Sequence, residues 1–374
     1  MEIILTFTYK TSLKVWEDTG LLTREMLFYK KLADKYQINF TFITYGDNYD
    51  LRFENYFQNL KIIPIYKYIK KSKFEFINFI RTIYFPLIIK KEIRKIDLVK
   101  TNQLMGSWIG IMLKIIYSKP LLLRTGFDKV SFLIKERKSK LIIILAYVLT
   151  QISLIFSSVY FVTSKEDYKY MNKVYFFGRK KIKIRPNWVA EVERSELNSR
   201  PNNKILLVGR LESQKNYEYV INSFENSNFE LDIVGTGTQL NRLEQLSLEK
   251  NVSVNFLGSI PNSELINKYK EYKFFLIAST YEGNSKVLLE AMSAGCVVIA
   301  RNISNNSELI TNEDNGYLFN DGENLPEFIR EVNKDKTKLE SISSSAIKSI
   351  QDNYSINKIL EEEYNTFKGV INIS

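Results

Sequence analysis

Residues 274–300 constrain the fold more than any other stretch of the chain. An apolar run, Phe274 to Ala278, has the length and composition of a buried strand. A helical pattern then leads to Gly295, and a second apolar run, Val297 to Ala300, follows at once. Strand, turn, helix and strand in that order make the unit of a parallel α/β sheet. The turn, Tyr281-Glu282-Gly283-Asn284-Ser285-Lys286-Val287, carries a glycine where strand hands over to helix. Backbone N–H groups and the positive end of a helix dipole there favour an anion above the sheet edge. Glu290 falls between Val287-Leu288-Leu289 and Ala291-Met292. An uncompensated carboxylate is costly to bury, so Glu290 is expected to accept hydrogen bonds.

Upstream, Lys204 to Val208 reads as another buried strand, followed by Gly209-Arg210 and a helix beginning near Asn216. Arg210 and Lys215 then project from one strand-end loop, on the edge of the sheet where open α/β folds bind ligands. A guanidinium with forked donors and a compact ammonium suit a diphosphate, although such cations are also common on solvated loops. The loop is not a P-loop, because Gly-Lys-Ser/Thr at the required spacing is missing. Leu231 to Gly237 is a strand running into a turn at Gly235, without the third glycine of a dinucleotide fingerprint. Val254 to Pro261 is a further strand and loop, containing Gly258 and Ile260.

Glu282 and Glu290, with Gly283 directly after the first and Ala291-Met292 after the second, resemble the Glu-(seven residues)-Glu motif of the retaining glycosyltransferases of family four, within the glycosyl transferases of group 1. Gly209-Arg210 with Lys215 is similar to the Gly-Arg…Lys element of that family. Asn306 to Ile310 and Asn315 to Phe319 match its closing elements. The resemblance covers roughly residues 204–330 well and the first half loosely. It implies a GT-B fold, with two Rossmann-like doubly wound parallel-sheet domains facing across a cleft. It also implies that Arg210 and Lys215 hold the donor diphosphate, that Glu282 holds the donor sugar near its reacting carbon, and that Glu290 accepts from the ribose hydroxyls. The Gly258–Ile260 loop would flank the base, and the N–H groups of Asn284, Ser285, Lys286 and Val287 would meet the leaving group.

A chain of 374 residues is long for one domain and comfortable for two, and its 45 % hydrophobic and 25 % charged content is that of a globular protein. The expected division is an acceptor domain over 1–190, a nucleotide-sugar domain over 191–354, and a C-terminal helix over 355–374 crossing back to the first domain. Polar, Pro-containing sequence from Arg185 to Asn203 reads as the linker. Strand-like runs at Ile3–Phe7, Phe40–Thr44, Ile62–Ile65, Asp97–Lys100 and Pro120–Arg124 alternate with helical segments, as in a second doubly wound domain. Gly20, before a helix starting near Leu22, is similar to the glycine loop that approaches the donor from the first domain. Arg124 and Asp128, in a segment that follows a strand, are expected to line the cleft on the acceptor side, where either contacts acceptor or phosphate or else serves a structural role. Many members of the family carry a histidine in this region; this chain has none anywhere, so no imidazole serves as base or ligand.

Charge is shared unevenly. Residues 1–190 hold 34 Lys+Arg and 15 Asp+Glu, a net of +19, and the remainder has a net of −8. The clusters Lys67–Lys73, Lys90–Lys95 and Lys135–Lys140 alternate with aromatic and aliphatic stretches, which suits an anionic membrane surface or a lipid-diphosphate acceptor. No nucleic-acid-binding signature accompanies them. Leu141 to Ser164 contains no charged residue but is diluted by Gln151, Ser153, Ser157 and Ser158. It reads as a buried helix to about Phe156 and then a strand, rather than a transmembrane span. The tail from about Ser355 to Phe367 is an amphipathic helix with Glu361-Glu362-Glu363 on its polar side.

The single Cys296 sits in an apolar run, and strand-like sequence begins at once, so a reduced, cytoplasmic protein is expected, either free or at the inner face of the cytoplasmic membrane. No Asp-x-Asp stands at a strand end and no His/Cys cluster offers ligands, so neither metal nor other cofactor is expected. The expected partners are a UDP- or GDP-sugar and a glycan or lipid-linked acceptor, in bacterial surface polysaccharide assembly. Two other readings stay open: a sugar-nucleotide epimerase of the same fold, and a non-catalytic carbohydrate or membrane-surface binding protein.

Overall fold

The computed structural model describes residues 1–193 and 195–373. The chain forms two compact units, Met1–Pro186 with Leu360–Ser374, and Asn187–Ile359. In the first, seven strands lie in the order β3-β2-β1-β4-β5-β6-β7. They are β1 (Glu2–Thr6), β2 (Asn39–Thr44), β3 (Leu60–Pro64), β4 (Leu98–Thr101), β5 (Leu121–Arg124), β6 (Val159–Val162) and β7 (Ile182–Ile184). Every pairing is parallel. Between them run α1 (Leu13–Asp18), α2 (Leu22–Tyr36), α3 (Ile65–Tyr68), α4 (Glu75–Ile88), α5 (Ser107–Tyr117), α6 (Lys129–Lys135), α7 (Lys140–Phe156) and α8 (Lys165–Val174).

The expected runs form strands at the expected places, each within two residues. The edge strand β7 was not anticipated, because its Lys-Ile-Lys-Ile stretch is short and charged, with only Ile182 buried. The expectation of a buried helix ending near Phe156 is half corrected. The helix is α7, but its apolar residues are largely solvent-facing and only Thr150, Ser153 and Leu154 are buried. An uncharged run marks a helix without saying which side the sheet takes. Among the described residues no helix is long and apolar enough to cross a membrane.

The chain returns to the first unit through α16 (Ile356–Ile373). Its three consecutive acids do not share a polar side, since a helix turns about 100° per residue. Glu363 is buried, with Lys100 Nζ at 2.5 Å, while Glu362 pairs with Arg185 and Glu361 is exposed. Burial alone would raise the Glu363 carboxyl, but the Lys100 and Arg185 charges overcome it and hold it below the usual range. Tyr364 stacks on Tyr36 of α2, with ring centroids 3.8 Å apart.

In the second unit, β8 (Lys204–Val208), β9 (Glu230–Val234), β10 (Ser253–Gly258), β11 (Phe274–Ile277), β12 (Val297–Arg301) and β13 (Tyr317–Phe319) lie in the order β10-β9-β8-β11-β12-β13. All pairings are parallel. Its helices are α9 (Tyr217–Ser223), α10 (Leu240–Glu249), α11 (Asn262–Tyr269), α12 (Lys286–Ser293), α13 (Ser304–Ser307), α14 (Leu325–Val332) and α15 (Lys336–Asn353). Along β11, Phe274 and Leu276 enter one core while Phe275 and Ile277 enter the other. Helices therefore cover both faces, which is why these strands read as unbroken apolar runs.

The stretch read as a linker is partly built into this unit. Val189 bridges to Ser355, and the Ile356 N–H donates to the Val189 carbonyl at 3.0 Å. Arg194, within that stretch, and Ser374, at the end of the expected tail, lie outside the described residues.

Candidate active site

The second sheet reverses its strand order between β8 and β11: the chain moves outward from β8 to β9 and β10, then resumes on the other side with β11. Two loops leave adjacent strand ends at such a switch point and part around a crevice. Here they are Gly209–Asn216, after β8, and Ala278–Ser285, after β11. Gln214 ties one to the other. Its carbonyl accepts from the Thr280 N–H at 2.9 Å, and its side-chain amide donates to the Tyr281 carbonyl at 2.8 Å.

Lys215 and Glu282 meet across this junction as an ion pair, with side chains only 13 % and 9 % exposed. Arg210, on the same loop as Lys215, is exposed and reaches Gln214 at 3.5 Å. The structure thus brings Lys215 and Glu282 together and sets Arg210 on the same loop as Lys215.

The floor of the crevice is backbone. The Gly209 N–H donates to the Val234 carbonyl at 2.9 Å, and the Gly235 N–H to the Gly258 carbonyl at 2.7 Å, so three glycines line up on β8, β9 and β10. Gly235 has φ +144, and a Cβ there would lie 1.9 Å from the Gly209 carbonyl oxygen. Only glycine lets these strand ends approach so closely.

Beyond Glu282 and Gly283, Asn284 and Ser285 are buried at the start of α12. Asn187 holds that turn by donating its N–H to Asn284 Oδ1 at 2.8 Å and its side-chain amide to the Asn284 carbonyl at 2.5 Å. The Lys286 ammonium lies 5.7 Å from the centre of the Trp188 ring, and Val287 packs on the core.

Glu290, one turn into α12, is 5 % exposed. Its oxygens accept from Asn262 Nδ2 at 3.1 Å and the Tyr269 hydroxyl at 3.2 Å, both on α11. The hydrogen-bonding partners expected for this carboxylate therefore include protein donors, delivered by the helix that follows Gly258 and Ile260. Asn262, Tyr269, Gln214 and Asn187 were not singled out from the sequence. Only Gln214 carried a signal, its place between Arg210 and Lys215.

Asn306 and Asn315 of the closing elements are buried and satisfy backbone: Asn306 donates to the Arg301 carbonyl, and Asn315 accepts from the Thr311 N–H. Cys296 is fully buried, and burial pushes its thiol up to about 12, which suits packing and not nucleophilic chemistry.

Gly20, Arg124 and Asp128 belong to the first unit. Gly20 has φ +69 and links α1 to α2. Arg124 ends β5 and donates to the Pro186 carbonyl at 3.2 Å. Asp128 is 2 % exposed and caps α6 by accepting from the Ser131 N–H at 2.6 Å, while its other oxygen accepts from the Tyr175 hydroxyl at 2.8 Å. Both oxygens of the carboxyl are thus engaged inside the unit, as the structural alternative for Asp128 has it. Burial pushes Asp128 up to about 6 against the opposing effect of those two donors. Among the described residues, no three His, Cys, Asp or Glu side chains group in a way that could hold a metal ion.

Residues 190–349 match the family of glycosyl transferases group 1. An uncharacterized glycosyltransferase of Methanocaldococcus jannaschii is 33 % identical over 172 residues, 44 % of each chain. The alpha-monoglucosyldiacylglycerol synthase of Streptococcus pneumoniae is 34 % identical over 134 residues, 34 % of this chain and 30 % of its own. The chain spans between about a quarter and about half of the length of the curated relatives it first matches. The HepE protein of Anabaena, solved with UDP and glucose, superposes with a TM-score of 0.74 at 16 % identity, covering 99 % of this chain and 100 % of its own. At that identity the likeness speaks to fold, and the two Rossmann-like units are those of the GT-B architecture. Residues 190–349 form a glycosyl transferases group 1 domain, and the paired loops of the switch point lie inside it.

Proposed function

We propose that the protein is a retaining, metal-independent glycosyltransferase that moves a sugar from a nucleoside-diphosphate donor to a glycan or lipid-linked acceptor. The observation that carries this reading is the meeting of Lys215 and Glu282 at the switch point, with Arg210 on the same loop. Cations and a carboxylate at one strand-end crevice match a substrate that joins an anionic diphosphate to a polyhydroxylated sugar. The UDP of the HepE complex and the sugar-transferring names of the relatives support the same reading.

In the proposed reaction the bond between the anomeric carbon and the diphosphate oxygen breaks. A bond from the acceptor oxygen to that carbon forms on the same face, and the acceptor proton passes to the departing phosphate. The products are a glycoside and a nucleoside diphosphate. Arg210, Lys215 and the N–H groups at the start of α12 offset the charge that develops on the leaving group. A well-placed donor of that kind contributes roughly 3–4 kcal/mol. Glu282 orients the sugar, and Glu290 takes the ribose hydroxyls in addition to Asn262 and Tyr269.

The acceptor is proposed to be lipid-linked and presented at the inner face of an anionic membrane, in surface polysaccharide assembly. The net +19 of residues 1–190 supports this, as do two relatives named for diacylglycerol and diphospho-undecaprenol acceptors. The test is to incubate the chain with UDP- and GDP-sugars, with and without membrane lipid extract, and follow nucleotide release and the anomeric configuration of the product. Release that depends on extract, with a retained anomer, is the expected result. Conversion of the donor sugar without acceptor would instead establish an epimerase.

A further inference from the structure

In one helix layer of the first unit, two helices turn most of their apolar side chains outward. Right-handed crossovers place α4, α5 and α7 on one face of its sheet. Contacts between them agree: Trp108 of α5 donates to Thr82 of α4 at 3.1 Å, and Ser107 of α5 meets Ser153 of α7 at 3.0 Å. On α4 Asn78, Thr82, Phe85 and Pro86 are buried, while Phe76, Ile77, Ile80, Tyr84, Leu87 and Ile88 are exposed. On α7 Thr150 and Ser153 are buried, while Leu141, Ile142, Ile144, Leu145, Val148 and Ile152 are exposed. Leu145 is 60 % exposed and Phe76 73 %. Water disfavours such an arrangement, and an apolar surround favours it.

A loop adds to the same surface. Phe176 and Phe177, 74 % and 61 % exposed, follow α8 and are fastened to α7 by Gln151. Its carbonyl oxygen accepts from the Phe176 N–H at 3.0 Å, and its amide donates to the Phe177 carbonyl at 2.9 Å.

Charge singles out one occupant. Residues 1–65 hold 8 Lys+Arg and 8 Asp+Glu, whereas residues 66–184 hold 25 and 7. Nearly the whole surplus of the first unit thus falls on the segment that builds this layer. Lys70, Lys71 and Lys73 precede α4; Lys135, Arg137, Lys138 and Lys140 lead into α7; and all seven are exposed. The acids Glu75, Glu92 and Glu136 are paired with Lys10, Lys61 and Lys138. Apolar side chains ringed by cations match a bilayer interface with anionic headgroups, whereas a second copy of the same face would bring like charges together.

We propose that the outer face of α4 and α7, with the Phe176–Phe177 loop, docks the chain on an anionic lipid bilayer. The apolar side chains enter the headgroup boundary, and the flanking lysines and arginines pair with lipid phosphates. The proposal rests on the reading that the acceptor is held at a membrane, and names the surface that meets it.

The test is co-sedimentation of the full chain with phosphatidylglycerol/phosphatidylcholine vesicles and with pure phosphatidylcholine vesicles. The variants are Ile144→Glu/Leu145→Glu and Phe176→Ser/Phe177→Ser, with thermal melts and sedimentation velocity run alongside. Wild type is expected to bind the mixed vesicles, and at least tenfold less to pure phosphatidylcholine or at high salt. Each variant is expected to lose at least tenfold in partitioning with an unchanged melt, because the replaced side chains face outward. Wild type that ignores anionic vesicles, variants that bind as well as wild type, or a dimer that the same substitutions dissolve would each overturn the proposal. Donor turnover and its product are read in a separate assay with lipid extract in place of the defined vesicles, so failure of the transferase reading registers there and not in the partitioning.

Discussion

Lys215 and Glu282, 67 residues apart in sequence, form an ion pair where the second sheet reverses its strand order. In the proposed reaction a diphosphate bound there would share the Lys215 ammonium with Glu282, so each group would set the position of the other. Lys215→Ala is predicted to lower kcat/KM about 10²–10³-fold, the range for loss of one donor to a developing anion. Steady-state rates with a saturating acceptor check this, and full activity in the variant would remove the diphosphate role.

Glu290 accepts from Asn262 and Tyr269 and is proposed to accept from the ribose as well, and substitution can separate the two. Glu290→Ala is predicted to raise the donor KM while leaving kcat nearly unchanged, because the ribose is remote from the reacting carbon. It also strips Asn262 and Tyr269 of a buried acceptor, at about 1–3 kcal/mol of stability. Glu290→Gln keeps one acceptor oxygen, so urea denaturation should show a smaller loss for it than for Glu290→Ala. Equal donor KM in wild type and both variants would leave Glu290 a packing residue alone.

Turnover is predicted to persist in excess chelator, since in the proposed reaction Arg210, Lys215 and the start of α12 supply the positive charge. An absolute requirement for Mn²⁺ or Mg²⁺, restored on addition of the ion, would overturn the metal-free scheme.

The buried Asp128 carboxyl should make the first unit's stability depend on pH. Its pKa is raised to about 6 in the folded chain, against about 3.9 unfolded. The folded state therefore holds the proton more tightly, and this contribution is present below about pH 4 and lost as pH rises through 6. Two units correspond to about 3 kcal/mol. In Asp128→Asn the carboxyl no longer titrates, so the stability of the variant relative to wild type should improve by about that amount between pH 4 and pH 7. A difference that stays flat over this range would contradict the raised pKa.

The parts of the site that lie close in sequence were legible, and the parts assembled by tertiary contact were not. β11 and α12 announce themselves because a doubly covered strand is continuously apolar and the helix after it has a 3.6-residue period. Arg210 and Lys215 stand on one short loop after an equally clear strand. Asn187 was read as linker, since nothing local tells that its partner is Asn284, 97 residues on. Tyr269 gives no local sign that it reaches Glu290. The exposure of α7 was invisible for a different reason. An uncharged apolar run fits a core helix and a membrane-facing helix equally well, and only the inward Thr150 and Ser153 separate them.

Calorimetric titration of UDP and GDP, each beside its parent nucleoside, tests the grip on the diphosphate most directly when wild type is compared with the Arg210→Ala/Lys215→Ala double variant. One of the two diphosphates is predicted to bind wild type and to lose at least about a hundredfold in affinity in the double variant, about 2.7 kcal/mol, with nucleoside binding unchanged. Equal affinity of that diphosphate for both proteins would contradict the assignment of the two cations.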